Sequence, residues 1–211
     1  MPKFNFDDIQ KLEKYYRISL INKISGLKSA NLIGTKSTNG ISNLAIFNSV
    51  IHLGANPPLL GFIMRPLAVD RHTYSNIKEN GYFTINQVSS KIHQQAHQTS
   101  AKFPNDVSEF EACGLTETYI DDFPVPFVKE SRIQIGLSFQ EENLIKANNT
   151  ILMVGKIEKI ILPDEAIDTK GDIDLEALDA MSVGGLDTYY ICKRIGRYGY
   201  ARVGEEVKKV E

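Results

Sequence analysis

Three observations predict a mainly β protein, an antiparallel barrel with short inserted helices. Short β-rich segments recur along the chain, the helical stretches between them are few and brief, and the order is not βαβαβ. The 211 residues, 42% of them hydrophobic, suffice for one packed domain over 1–211.

Taken in order, "RISLINKI" (17–24) and "ANLIGTKS" (30–37) read as paired strands. "STNG" (37–40) carries Asn39-Gly40, a two-residue hairpin signal, because both residues tolerate positive φ. The chain returns as one strand over Ser42 to Leu53 and again through "LLGFIMR", with Pro57-Pro58 ending one strand and setting the approach to the next. "DRHTYSNIKENG" (70–81) is punctuated as a helix, with Asp70 as N-cap and Asn80-Gly81 as its stop. "YFTINQV" (82–88) is a strand, and "SSKIHQQAHQTSAKF" is a helix opened by Ser89 or Ser90 and interrupted at Pro104. "DVSEFEACG" adds a helical piece ending at Gly114, and "DDFPVP" (121–126) is extended loop. "SRIQIGLSFQEE" and "NTILMVGKIEKIILP" alternate as long antiparallel strands joined near 147–149. "GDIDLEALDA" reads as a short amphipathic helix, and "VGGLDTYYICKRIGRYGYARV" as a glycine-rich turn followed by an aromatic, basic strand or loop.

Composition removes several function classes. A net charge of −2 offers no electrostatic case for nucleic acid or an anionic membrane surface. No apolar run has the roughly 18–20 residues of a membrane span, and "MPKFNFDDIQKLEKYY" lacks a signal-peptide core, so the expectation is a cytoplasmic protein. Cys113 and Cys192 are far apart and read as reduced, structural cysteines. No GxSxG elbow, GxGxxG fingerprint or phosphate-binding P-loop occurs. His93 and His97 share a helix face, but no third ligand is evident; they read as solvated or capping residues, or as the lining of a substrate entrance. No metal ligand set and no catalytic side chain is assigned.

Two places invite a ligand. In "RHTY", Arg71, His72 and Thr73 occupy the first turn of a helix, where free N–H groups and the positive helix end favour an anion; an Asp70 cap would compete for the same N–H groups. In the strand from Ser42, alternation sends Asn43, Ala45 and Phe47 to one face and Leu44, Ile46 and Asn48 to the other. A buried asparagine or serine without partners costs about 1–3 kcal/mol. These groups therefore meet either a polar heterocycle or neighbouring backbone in a bulged strand.

The run "NLIGTKSTNGISNLAIFNSVIHLGANPPLLGFIMRP", followed by "RHTYSNIKENGYFTIN", resembles the flavin reductase-like family of FMN-binding split barrels. The match is strongest over 30–86, with weaker echoes in "SAKFP…SEFEACGL" and "RYGYARV". The resemblance implies a six-stranded split barrel and a homodimer with FMN at its interface. The backbone near Asn43, Leu44 and Ala45 would approach the flavin ring edge, with Asn48 and Ser49 nearby. Thr35 and Lys36 would face the ring or ribityl chain from the adjacent strand, and Arg65, Arg71, His72 and Thr73 would take the phosphate. It implies hydride transfer between NADH or NADPH and flavin, with a small-molecule substrate. The cofactor carries that chemistry without a side-chain nucleophile. The competing readings are a flavin-binding electron carrier of the same fold and a barrel that binds another phosphorylated ligand or a peptide. Arg194, Arg197, Tyr198 and Tyr200 could touch the flavin, the nicotinamide phosphate or a second subunit, or serve packing alone.

Overall fold

The computed structural model describes residues 1–210. Two helices come first, α1 (Phe6–Lys11) and α2 (Lys14–Lys23). Asn5 and Asp8 close α1 with a reciprocal capping box, and Glu13 Oε2 accepts the N–H groups of Tyr15 and Tyr16 at the start of α2. That cap corrects the strand expected over 17–24, because local N–H groups are satisfied in a helix before any sheet edge can take them. Neither helix buries a residue.

The strands follow: β1 (Lys28–Ser29), β2 (Asn31–Lys36), β3 (Ser42–Phe47), β4 (Ile51–Ala55) and β5 (Pro58–Met64). The β2–β3 connection is not the two-residue turn that Asn39-Gly40 suggested. Ser37 N–H donates to Ile41 O at 2.8 Å and Gly40 N–H to Ser37 O at 3.0 Å, and only Gly40 (φ 85°) takes the left-handed conformation. The expected strand over Ser42 to Leu53 is broken after Phe47, and its second half folds back on β5 as β4. Helix α3 (His72–Asn80) ends at Gly81 (φ 73°), as predicted, but its N-cap is Arg71, and no side chain caps it. Asp70 lies exposed just outside the helix.

Then come β6 (Tyr82–Gln87), α4 (His93–Gln98), α5 (Glu109–Cys113), β7 (Glu117–Thr118), β8 (Phe127–Val128), β9 (Gln134–Ile145), β10 (Thr150–Ile161), β11 (Met181–Gly184) and β12 (Thr188–Ile191). Helix α4 starts later than expected, because Ser89 bridges to Ala180 and Ser90 donates to Asp179 from both N–H and hydroxyl. The helix predicted over 171–180 is a run of turns instead. Asp174 Oδ1 accepts the N–H groups of Glu176 and Ala177, and Asp179 sits at φ 55°. Aspartates there compete for the N–H groups that a helix would need.

The central sheet has seven antiparallel strands in the order β3-β2-β6-β9-β10-β5-β4, one more than the six expected, because β4 hairpins onto β5. The sheet curls so that β2, β5, β6, β9 and β10 share one interior around Ile33, Phe62, Phe83, Ile85, Leu137 and Met153. The seam between the end of β3 and β5 is joined by Ser49, whose Oγ accepts Ile63 N–H at 3.1 Å and lies 3.3 Å from Ile63 O. On the outer face of β2 and β3, Leu32 and Leu44 pack with Ile92, Ala96, Phe110 and Val183, fixing α4, α5 and the β11–β12 hairpin against the barrel. No helix is long and apolar enough to cross a membrane among the described residues.

Strand β2 approaches β6 and the 123–127 loop closely at Gly34. A Cβ there would lie 2.5 Å from Thr84 Oγ1 and 2.6 Å from Pro126 O, between two groups that hydrogen-bond at 2.7 Å. Gly34→Ala is therefore expected to cost about 1–3 kcal/mol as overpacking, lowering Tm by roughly 2–12 °C for a domain of this size. Calorimetry of the two proteins checks it; an unchanged Tm would show that the crossing has room for a methyl group.

Candidate functional site

A cleft of about 600 Å³ opens where β3 ends, walled by the start of α3, the 99–103 loop and the β11–β12 turn. The barrel supplies its floor through Ala45, Ile46 and Phe47, and Phe103 and Leu186 add apolar surface above. Asn48 Nδ2 donates to Gly185 O at 2.6 Å, which ties the end of β3 to the β11–β12 turn.

Eight of the residues singled out in the sequence line this cleft: Asn43, Ala45, Asn48, Ser49, Arg65, Arg71, His72 and Thr73. Three do not. Thr35 is fully buried, donating to Asn43 Oδ1 at 3.3 Å and accepting from Asn76 Nδ2 at 3.0 Å. Lys36 lies one residue further along β2 and turns the other way, as strand alternation requires. Its Nζ donates to the Tyr119 hydroxyl at 2.9 Å and sits 4.8 Å from that ring's centroid. The Leu44 side chain is fully buried, and its N–H donates to Glu109 Oε2 at 2.9 Å. The Leu44 amide is thus unavailable to a ligand. Since it points off the free edge of β3, alternation along the ladder sends the Ile46 N–H off the same edge, on the cleft side.

The polar groups of β3 find partners within the protein. Asn43 Oδ1 accepts from Thr35 and from Thr73 Oγ1 (3.1 Å), and its Nδ2 donates to Glu109 Oε2 at 2.8 Å. Asn43 therefore clamps the edge strand, the first turn of α3 and α5 together. At that turn the N–H groups carry no side-chain cap, and Arg71 Nε is buried without a hydrogen-bond partner. An unmet buried donor beside an uncapped helix start is an anion site in form.

Sequence reasoning missed Glu109, which is only 4% exposed and lines the cleft. Burial pushes its carboxyl above the ordinary range, opposed by the Leu44 N–H, the His72 imidazole and the Asn43 amide. It also missed Tyr189 and Asp187 on the far wall. Burial and the Asp187 charge push the Tyr189 phenol up, and its hydroxyl lies 3.1 Å from His97 Nδ1. His97 lines the cleft, as an entrance residue would; His93 instead contacts Ser90 O at 2.7 Å. Among the described residues no three His, Cys, Asp or Glu side chains gather as a metal site, and Cys113 and Cys192 are free thiols.

Known structures share this architecture. A split-barrel protein of Shewanella frigidimarina, named for a flavin reductase, superposes with a TM-score of 0.92 at 47% identity, over 95% of this chain and all of that one. Nitrilotriacetate monooxygenase component B of Bacillus cereus matches with a TM-score of 0.80 at 20% identity, over 92% and 96% of the two chains. The 2-nitrobenzoate 2-nitroreductase of Pseudomonas fluorescens matches with a TM-score of 0.81 at 19% identity, over 97% and 99%. The last two likenesses are of fold. A model of the flavin reductase like domain matches residues 28–175, from β1 past the end of the barrel, and the chain belongs to that family.

Proposed function

We propose that this chain is a single-domain, FMN-dependent oxidoreductase that passes a hydride between NADH or NADPH and flavin, and that it works as a homodimer. The observation that carries the FMN assignment is the buried, unpartnered Arg71 Nε beside the uncapped start of α3, at one end of an apolar-floored cleft. About 600 Å³ lies within the range of small-molecule sites. The residues present fit the group. Arg71, with Arg65, His72, Thr73 and the first-turn N–H groups of α3, would hold a phosphate. Ala45, Ile46 and Phe47 would lie against the ring system, with the outward Ile46 N–H as a donor to its polar edge. Bound FMN supplies the hydride chemistry. The chain's own part is to bind, to orient and to keep water from one face, through Phe103, Leu186 and Tyr189 on the opposite wall. Asn48 holds the β11–β12 turn over the cleft and so sets how far that wall closes.

The dimer is supported by apolar surface that the single chain leaves uncovered. Phe6, Tyr15 and Ile24 at one terminus, with Ile191, Ile195 and Tyr200 near the other, are each more than 70% exposed. A second copy seated on them would remove that apolar area from water.

An absorbance spectrum of the purified protein, followed by nicotinamide oxidation with and without added FMN, tests the reading. A flavin spectrum and sustained oxidation of NADH or NADPH are expected. Flavin binding without nicotinamide turnover would leave an electron carrier, and a preparation still colourless after incubation with FMN and desalting would remove the FMN assignment.

A further inference from the structure

Glu109 is a buried titratable group in this cleft that the hydride chemistry does not use. It is 4% exposed, it belongs to the cleft wall, and its Oε2 accepts from two neutral donors, Asn43 Nδ2 at 2.8 Å and Leu44 N–H at 2.9 Å. The basic group acting on it is the His72 imidazole. A single amide joins it to the proposed phosphate site, since Asn43 donates to Glu109 on one side and accepts from Thr73 Oγ1, in the first turn of α3, on the other.

We infer, resting on the FMN reading above, that Glu109 takes up a proton from solvent when an anionic nucleotide enters the cleft, and that it is thereby a positioning residue for the edge of β3. A phosphate monoester brings between about 1.5 and 2 negative charges at neutral pH. Placed at the start of α3, that charge and a Glu109 carboxylate would flank one asparagine side chain, and a nearby like charge disfavours ionisation. The ligand also excludes water from the cleft, which penalises a carboxylate in the same direction. Burial already holds the Glu109 carboxyl above its ordinary range, so both effects act on a group that is partway there. With Oε2 occupied by two donors, the proton goes to Oε1. The neutral acid keeps both bonds, so the strand edge and the outward Ile46 N–H stay in register while the repulsion disappears.

Other titratable groups face the same space. Arg71, His72 and Asp70 come from the start of α3, Arg65 from the end of β5, and Lys102 from the loop after α4. Asp187, Tyr189 and His97 lie across the cleft. Cys113, on α5 itself, has a thiol pushed up by burial and by the Glu109 charge. His72 stands at the same proposed phosphate site, so the readout must isolate Glu109.

Calorimetric titration of FMN into the full-length protein, in buffers of differing ionisation heat from about pH 5.5 to 8, counts the protons bound. The wild type is expected to take up more protons per FMN than Glu109→Gln, by up to one at some pH in that range. Its Kd should rise with pH relative to the variant by up to tenfold per unit, and the difference should persist in a His72→Asn background. Superimposable proton counts overturn the inference while leaving the FMN assignment standing, whereas absence of FMN binding overturns both. Should Glu109→Gln fail to fold, the His72→Asn protein suffices. Between about pH 7 and 8, where the phosphate is largely dianion, FMN must take up more protons than riboflavin at some pH, and equal counts throughout overturn the inference.

Discussion

Replacing Phe62 by alanine is expected to lower the unfolding free energy by about 3–5 kcal/mol, which for a domain of this size lowers Tm by roughly 6–20 °C. The ring is fully buried on β5, edge-to-face with Phe47 at 5.0 Å and with Phe83 at 5.5 Å between centroids. Truncation removes the transfer free energy of a whole aromatic side chain and leaves a cavity between strands that cannot close on it. It also forfeits two aromatic pairs, each worth about 0.5–1.5 kcal/mol beyond buried area. Because Phe47 also belongs to the floor of the cleft, the loss reaches the site. FMN affinity should fall in Phe62→Ala at temperatures where the protein is still folded. Phe62→Leu, which keeps most of the volume, should lose far less of both. Guanidinium unfolding of the three proteins decides the matter: a loss below 1 kcal/mol for the alanine variant would mean that the ring does not fill the barrel interior.

The barrel was legible from residue 30 onward because its signals are local. Period-two alternation in 131–142 and 149–163, the proline pair at 57–58 and Asn80-Gly81 each act within a few residues; the first falls on β9 and β10, and the other two fall at element boundaries. The end of the cleft proposed to take a phosphate was legible for the same reason, since Arg71, His72 and Thr73 are consecutive and all three line it. What failed depended on partners distant in sequence. Glu109 looks like an ordinary helix glutamate until β3, more than sixty positions earlier, places Asn43 and the Leu44 N–H on its carboxylate. The same contact explains why the Leu44 N–H is already taken although it sits within the stretch that resembles the family. Thr35 and Lys36 stand on β2, which lies one strand in from the edge strand β3 and lines none of the cleft, a placement set by its pairing with β3 and β6. At 168–179 and at Glu13 the error was local but of another kind. Carboxylate side chains took backbone N–H groups, creating turns in one case and a helix in the other, a competition that hydrophobic periodicity does not register.

Arg71→Ala should have effects of opposite sign on binding and on stability. A hydrogen bond to a charged group contributes about 1.5–3 kcal/mol, so losing the guanidinium should weaken FMN binding roughly ten- to 150-fold. Riboflavin, which shares the ring system but has no phosphate to meet Arg71, should bind both proteins within about twofold. In the free protein the sign reverses. Arg71 Nε is buried with no partner, and a buried donor left unmet costs about 1–3 kcal/mol. Removing it should leave the ligand-free Tm unchanged or raise it, whereas most substitutions of half-buried residues lower it. Arg71→Lys keeps the charge but not the planar fork, and should fall between the two on FMN while lacking the orphaned Nε. Fluorescence titrations with FMN and riboflavin, alongside melting curves of the ligand-free proteins, measure both halves. Equal weakening of FMN and riboflavin would place Arg71 against the ring rather than the phosphate. Unaltered FMN binding would mean that the start of α3 holds no anion, and the orphaned nitrogen would then be a defect of packing rather than a waiting contact.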